Sequence, residues 1–340
     1  MPPSVLPPAF APDSESLDPA GPGGRAAPVG GDAGALEAGA IDEAGRFRLG
    51  RLRDSRLRPA NLRAIRALCH NAYLGDSRSL CRVLGRSTLL VDTRDRALAP
   101  HLLMNGIWEM HITECLARLV KPEMTVVDAG ANYGYFALLA AGLVGPGGRV
   151  LAVEANPAVA DLLETSLELN GMRERSRVHR AALGDSSAGV LPFVVDPRRP
   201  MNAHLLRPKE ERGALPEGHV LVEVPVTRLD DLVAPGERVD VMKVDIERAE
   251  EPFWAGARRV LTENAQIQVL LEVRAGRYRD PAAFFGRIRE DGFVLRVVTK
   301  AGAIEDVSVD ALLRSRAAHE MLYLSRQPRL PAALVEGRPG

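Results

Sequence analysis

The residues best suited to chemistry lie at a turn between an apolar strand and a helix. The run Val126-Val127-Asp128-Ala129-Gly130-Ala131-Asn132-Tyr133-Gly134 leads from one into the other. Gly130 allows a tight backbone turn, and Gly134 lets the helix start approach a neighbouring strand or a ligand. A dinucleotide site would want G-x-G-x-x-G, with free helix amides for a pyrophosphate. Here the spacing is G-x-N-x-G with an acid two residues ahead. That acid repels a pyrophosphate but can accept hydrogen bonds from a cationic amino group. The pattern favours a ligand with an amino-acid head, such as S-adenosylmethionine.

A second acid agrees. Leu151-Ala152-Val153-Glu154 reads as the next strand, and Glu154 lies 24 residues past Gly130. A carboxylate there can accept both ribose hydroxyls, which NAD and S-adenosylmethionine share. The bland alternative is a surface acid capping the helix that starts at Pro157. Small residues at Ala181-Ala182-Leu183, ahead of Gly184-Asp185, could sandwich an adenine. Farther on, Lys243, Asp245 and Glu247 alternate, so on a strand they share one face. Three charges there are costly unless paired or placed at the strand's end. A structural Lys–Asp pair is one reading; Asp245 and Glu247 beside a transferable group is the other. Glu272 reaches the same edge from the next strand.

The elements that position these groups alternate. Strands are expected at 87–92, 125–128, 149–154, 177–182, 239–245, 267–273, 293–298 and 320–325. Helices are expected at 109–120, 133–143, 157–170, near 250–262, and at 281–290. Alternation of this kind implies a largely parallel α/β sheet with helices on both faces. About 55 residues between Ala182 and Val239 break the pattern and read as a lid or an excursion, with extended runs at 190–195 and 220–226. Residues 1–45 hold eight prolines and eight glycines and read as a disordered tail. The remaining divisions are an extension over 46–105, a catalytic domain over 106–326 with an insertion at about 185–235, and a tail over 327–340.

Composition narrows the field. The 340 residues carry 44 basic and 44 acidic side chains, a net charge of zero that points to no polyanionic partner. Only four lysines stand against forty arginines. Eight of those arginines crowd 46–66, where apolar residues at 62, 65, 68 and 69 keep helical spacing. A solvated basic helix packed on the domain is preferred over a nucleic-acid patch, since phosphate binders show a wider basic footprint. Cys69, Cys81 and Cys115 form neither a metal motif nor a disulfide framework, so no metal is expected and a reducing, cytoplasmic setting is. The N-terminus has no signal-peptide pattern, and the longest apolar run, 135–144, is half a membrane span.

From about Leu84 to Leu271 the chain resembles the FkbM family of S-adenosylmethionine-dependent methyltransferases. The resemblance rests on Gly106-Ile107-Trp108-Glu109, the 128–134 loop, Glu154, Gly184-Asp185, Thr227-Arg228-Leu229-Asp230-Asp231 and Lys243 to Glu247. It implies a class I, Rossmann-like fold of seven mostly parallel strands, the last antiparallel. It also implies O-methylation of a hydroxyl on a sugar, glycan or secondary metabolite. The cofactor set is then Glu109, Asp128, Gly130, Asn132, Gly134, Glu154, Ala182 and Asp245. One departure is Arg248, where the family has glycine; an arginine there calls for a strained φ or a displaced loop.

A neutral alcohol gains from a base that takes its proton as the new bond forms. Asp245 is the first candidate, although it could instead hold the cofactor's amino group. Glu247 is the second, and His204, in the insertion, is a lid histidine that could serve. Alternatives are an RNA or protein methyltransferase that docks through the 46–66 arginines, or a non-catalytic S-adenosylmethionine-binding protein. A nicotinamide oxidoreductase is disfavoured by the missing G-x-G-x-x-G.

Overall fold

The computed structural model describes residues 37, 39–187, 189–206, 215–315 and 318–335. The helical spacing after Pro59 becomes α1 (Arg58–Leu68), which buries Ala64 and Ile65. Pro59 in its first turn sacrifices no helical hydrogen bond. An antiparallel sheet follows: β1 (Asn71–Gly75), β2 (Arg78–Val83) and β3 (Ser87–Asp92). Of these, only β3 has an apolar run legible in sequence; β1 is exposed along nearly its whole length.

Next come α2 (Ala99–Asn105) and α3 (Met110–Leu119), then the alternation begins. It runs β4 (Thr125–Ala129), α4 (Tyr135–Val144), β5 (Arg149–Val153), α5 (Pro157–Leu169) and β6 (Ser176–His179). The insertion gives β7 (Ala182–Leu183), β8 (Gly189–Val195), β9 (His204–Leu205) and β10 (Val220–Thr227). After α6 (Leu229–Leu232) come β11 (Val241–Val244), α7 (Glu250–Gly256), α8 (Arg258–Glu263) and β12 (Gln268–Val273). The chain closes with α9 (Pro281–Glu290), β13 (Val294–Val298), β14 (Ile304–Asp306), α10 (Val309–Arg314), β15 (Glu320–Ser325) and α11 (Ala332–Val335).

The main sheet has the order β14-β13-β15-β12-β11-β4-β5-β6. Strands β12, β11, β4, β5 and β6 are parallel, whereas β15 runs antiparallel to both β12 and β13. The sheet therefore has eight strands rather than seven, because β14 folds back on β13 as a three-residue edge strand. Its residues alternate between two cores. Val126, Val241 and Leu270 face the helices α3 and α4, while Val127, Met242 and Leu271 face α7, α8 and α9. Burial on both faces explains why these strands read as continuous apolar runs. The order reverses between β4 and β11, and ligands of open α/β sheets bind beyond the strand ends at such a point.

Four further expectations need correction. The helix near 250–262 is two helices, broken at Ala257. Asp230 accepts from the amides of Arg259 and Val260 at 2.9 Å and so caps α8. The strand over 177–182 stops at His179. Ala182 and Leu183 leave the main sheet and pair with Val226 and Thr227 of β10, in a second sheet of order β7-β10-β8-β9. Of the expected tail over 1–45, residues 1–36 and 38 lie outside the described residues, but Ala40 is buried and Ile41 bridges to Phe47. Of the tail over 327–340, residues 336–340 lie outside them, and Leu334 is buried in the core.

The arginines of the extension are tied to the body. Arg53 donates to the carbonyls of Ala117 and Val120 at 3.1 and 3.2 Å. Arg58 pairs with buried Glu114 at 2.5 Å and donates to the carbonyls of Lys300 and Ala301. Arg46, Arg51 and Arg56 pair with Asp42, Glu37 and Asp54.

Candidate active site

A cleft of about 400 Å³ opens at the carboxyl ends of β4, β5 and β11. The β4–α4 loop forms one wall. Gly130 has φ +77°, and a Cβ there would stand 1.8 Å from the carbonyl oxygen of Asp245. Only glycine fits a position that is both left-handed and this crowded. Asn132 follows at φ 49° and Gly134 at +100°, where a Cβ would meet Leu163 at 2.5 Å. The loop thus wraps tightly between β11 and α5.

Glu154 fixes the loop from the next strand. Its two oxygens accept from the amides of Asn132 and Asn156, each at 2.8 Å. Burial nevertheless pushes its carboxyl up to about 7, against the pull of those amides. The capping alternative is excluded: Asn156, not Glu154, caps α5 by accepting from the Ala158 amide.

The floor is ionic. Lys243 pairs in register with Asp128 across β11 and β4, and its Nζ lies 3.8 Å from Asp128 Oδ1 and 3.4 Å from Asp245 Oδ2. The Phe136 ring lies beneath that ammonium, 4.8 Å from ring centre to Nζ. Burial works against the lysine's charge, but Asp245 and Asp128 hold it above the ordinary lysine value. Burial would likewise raise Asp245, yet Lys243 beside it holds that carboxyl below the usual range. Asp128 goes the other way, raised by burial more than Lys243 lowers it. Both Asp128 oxygens are buried without a close hydrogen-bond partner among the described residues. That combination leaves acceptor capacity on Asp128 directly beneath the β4–α4 loop, with the Lys243 ammonium as its nearest cation.

The structure therefore brings together Glu109, Asp128, Gly130, Asn132, Gly134, Glu154, Ala182, Asp245 and Glu247 around one crevice, all but Asp128 and Gly134 lining it directly. Glu247 is paired with Arg277. His204 departs from the expectation. Its chain neighbours Ala203 and Leu205 line the cleft and His204 does not; its Nδ1 lies 3.0 Å from the Asn202 carbonyl. His319, which lies just before β15, lines the cleft instead. Nothing in its local sequence signals this, because the sheet order alone brings β15 beside β12.

The cap has a core of its own. Phe193, Val195, Val224 and Val226 pack with Ala182, and Ala203 and Leu205 close against them. Phe193 reaches the cleft from this sheet, and Met201 from the turn that precedes β9.

Comparison with known proteins decides the family. Residues 128–303 match the methyltransferase FkbM domain. The chain belongs to the FkbM methyltransferase family. A relative named methyltransferase sdnD, from Sordaria araneosa, is 32% identical over 188 residues, 43% of this chain and 71% of that protein. A protein-L-isoaspartate O-methyltransferase from Methanopyrus kandleri is 34% identical over 107 residues, 30% of this chain and 46% of the relative. Among solved structures, the TYW2 protein of Pyrococcus horikoshii in complex with MeSAdo aligns over 80% of this chain and 86% of its own, at 15% identity and a TM-score of 0.40.

This FkbM methyltransferase is S-adenosylmethionine-dependent. Its residues suit that cofactor: a buried carboxylate at Asp128 whose oxygens accept no close hydrogen bond among the described residues, a backbone that only glycine permits at 130, and a buried acid at 154. Arg248 keeps the turn that a glycine would make, at φ +74°, directly after Glu247 at +39°.

Proposed function

We propose that this methyltransferase methylates a hydroxyl oxygen of a sugar, glycan or secondary metabolite, with Asp245 as the base. The observation that carries the reading is the state of Asp245. It ends the strand beside the glycine loop, lines the cleft, and is kept anionic by Lys243 at 3.4 Å. Bound S-adenosylmethionine supplies a methyl group on a sulfonium centre. The protein's share is then orientation of the acceptor and removal of its proton.

Asp128, Gly130, Asn132, Gly134 and Glu154 would hold the cofactor, with Glu109 and Ala182 completing its surroundings. Glu247 would orient the acceptor, since Arg277 already engages its carboxylate. The insertion over about 185–235 would close the acceptor side. A cleft of about 400 Å³ under that cap is of a size that suits a small molecule. Binding of nucleic acid is disfavoured by the six extension arginines already engaged with carboxylates and carbonyls. Among the described residues no helix is long and apolar enough to cross a membrane, and the three cysteines are free. Those cysteines support a cytoplasmic setting.

The test is turnover. Calorimetric titration of S-adenosylhomocysteine, with NADH as control, establishes loading, and hydroxylated sugars and metabolites are then screened as acceptors. Asp245→Asn should lower kcat by roughly 10²–10⁴-fold, the usual worth of a general base. A variant that turns over at the wild-type rate would remove Asp245 from that role.

A further inference from the structure

Glu272 takes no part in the transfer just described, yet it stands where it would govern Asp245. The parallel register that pairs Val244 with Leu271 continues to set Asp245 beside Glu272. Carboxylate oxygens of Asp245, Glu247 and Glu272 lie within 4.8 Å of one another. Two carboxylates this close in a partly buried cleft repel strongly unless they share a proton.

The surroundings decide which one keeps it. Lys243 approaches Asp245, at 3.4 Å, and Arg277 engages Glu247. Glu109 and Asp128 add further negative charge around the same floor. Glu272 is approached by His319, whose Nδ1 lies 3.2 Å from Oε1. Arg274 Nη1 lies 3.3 Å from His319 Nε2. A guanidinium can only donate, so Nε2 must accept and the ring proton sits on Nδ1, donated to Glu272 Oε1. That leaves the other Glu272 oxygen to carry the shared proton. In keeping with this, burial and then the Asp245 anion push the Glu272 carboxyl up to about 10.

The geometry points to Glu272 as a positioning residue: a neutral carboxyl that donates to one oxygen of Asp245, held by His319, and leaves the other oxygen for the acceptor hydroxyl. In the transfer, the hydroxyl proton passes to that free oxygen while Glu272 keeps its own. The arrangement rests on Asp245 being the base, so its test has one arm that needs no acceptor.

That arm is infrared difference spectroscopy of wild type against Glu272→Gln at pH 8. A carbonyl band of a neutral carboxylic acid should be present in wild type and absent from the variant. No difference between the two spectra overturns the inference, whether or not methyl transfer occurs. The second arm is kinetic. Glu272→Ala should lower kcat at least tenfold with little change in KM for S-adenosylmethionine. Glu272→Gln, whose amide can still donate to Asp245, should recover most of that loss. If the infrared band is lost but glutamine recovers nothing, the positioning role is overturned. A band present while no hydroxylated acceptor is methylated counts against the hydroxyl reading and leaves the carboxyl pair standing.

Discussion

Two turns meet at the centre of this cleft, and both leave the ordinary backbone regions. The β4–α4 turn passes through φ +77°, 49° and +100° at Gly130, Asn132 and Gly134; the turn after β11 passes through 39° and 74° at Glu247 and Arg248. The first has glycine at its two most crowded positions, whereas the second has none. The difference is what surrounds each. Gly130 lies against the backbone of the second turn, so any side chain would collide with Asp245. Arg248 is exposed, so its position asks for the left-handed region rather than for the absence of a side chain. Glycine at the two sites would thus answer different demands: packing in one, conformation in the other.

The sharpest way to break that comparison is Gly130→Ala. A Cβ 1.8 Å from a carbonyl oxygen cannot be absorbed by a rotamer change, because the obstacle is backbone. The turn after β11 must move, and Asp245 with it. We expect a loss of at least about 3 kcal/mol in stability and no detectable S-adenosylhomocysteine binding. Thermal unfolding and calorimetry read the two effects. Near-normal binding would mean that the two turns are not locked together.

A second test concerns the acid that holds the first turn. Burial raises Glu154 to about 7, so in the ligand-free protein it takes up a proton as pH falls below that value. An acid whose folded value exceeds its unfolded one binds more protons when folded. Its contribution to stability is therefore full at low pH and declines as pH rises from about 4.5 to 7. Hydrogen-bond donors from a bound ribose would favour the anion and reverse that preference. S-adenosylhomocysteine affinity should then rise about tenfold between pH 6 and 8, with proton release on binding. Glu154→Gln should flatten the dependence. Affinity of the wild type that is constant over this range would remove Glu154 from the ribose side of the site.

How much of this was legible in sequence follows the same division between local and distant causes. The acid before Gly130, the strand ending in Glu154 and the alternating charges of β11 are local patterns, and each leads to the cleft. Elements whose limits depend on distant partners are not legible. The break at Ala257 needs Asp230, nearly 30 residues away, to supply the cap. The early end of β6 needs β10 to draw off Ala182. His204 is a candidate in sequence because a histidine in a lid segment can serve as a base, but Ala203 and Leu205 on either side of it line the cleft instead. His319 is reached only through the order of the sheet. The arginine-rich stretch gave its composition but not its partners, which are carbonyls and acids scattered from Glu37 to Ala301.

The smallest expected effect concerns the second turn directly. Arg248 sits at φ +74°, where a side chain costs about 1–2 kcal/mol relative to glycine. Glycine gives back part of that through the greater freedom of its unfolded chain. Its amide would still donate to Glu250, as Arg248 does at 3.1 Å. Arg248→Gly should therefore stabilise the protein by about 0.5–1 kcal/mol, a rise of roughly 1–3 °C in Tm. Cofactor affinity should hold, since Arg248 is not among the residues lining the cleft. A fall in Tm would show that the arginine side chain contributes more through its contacts than its backbone costs. The two turns would then differ in what their side chains do, and not only in the space around them.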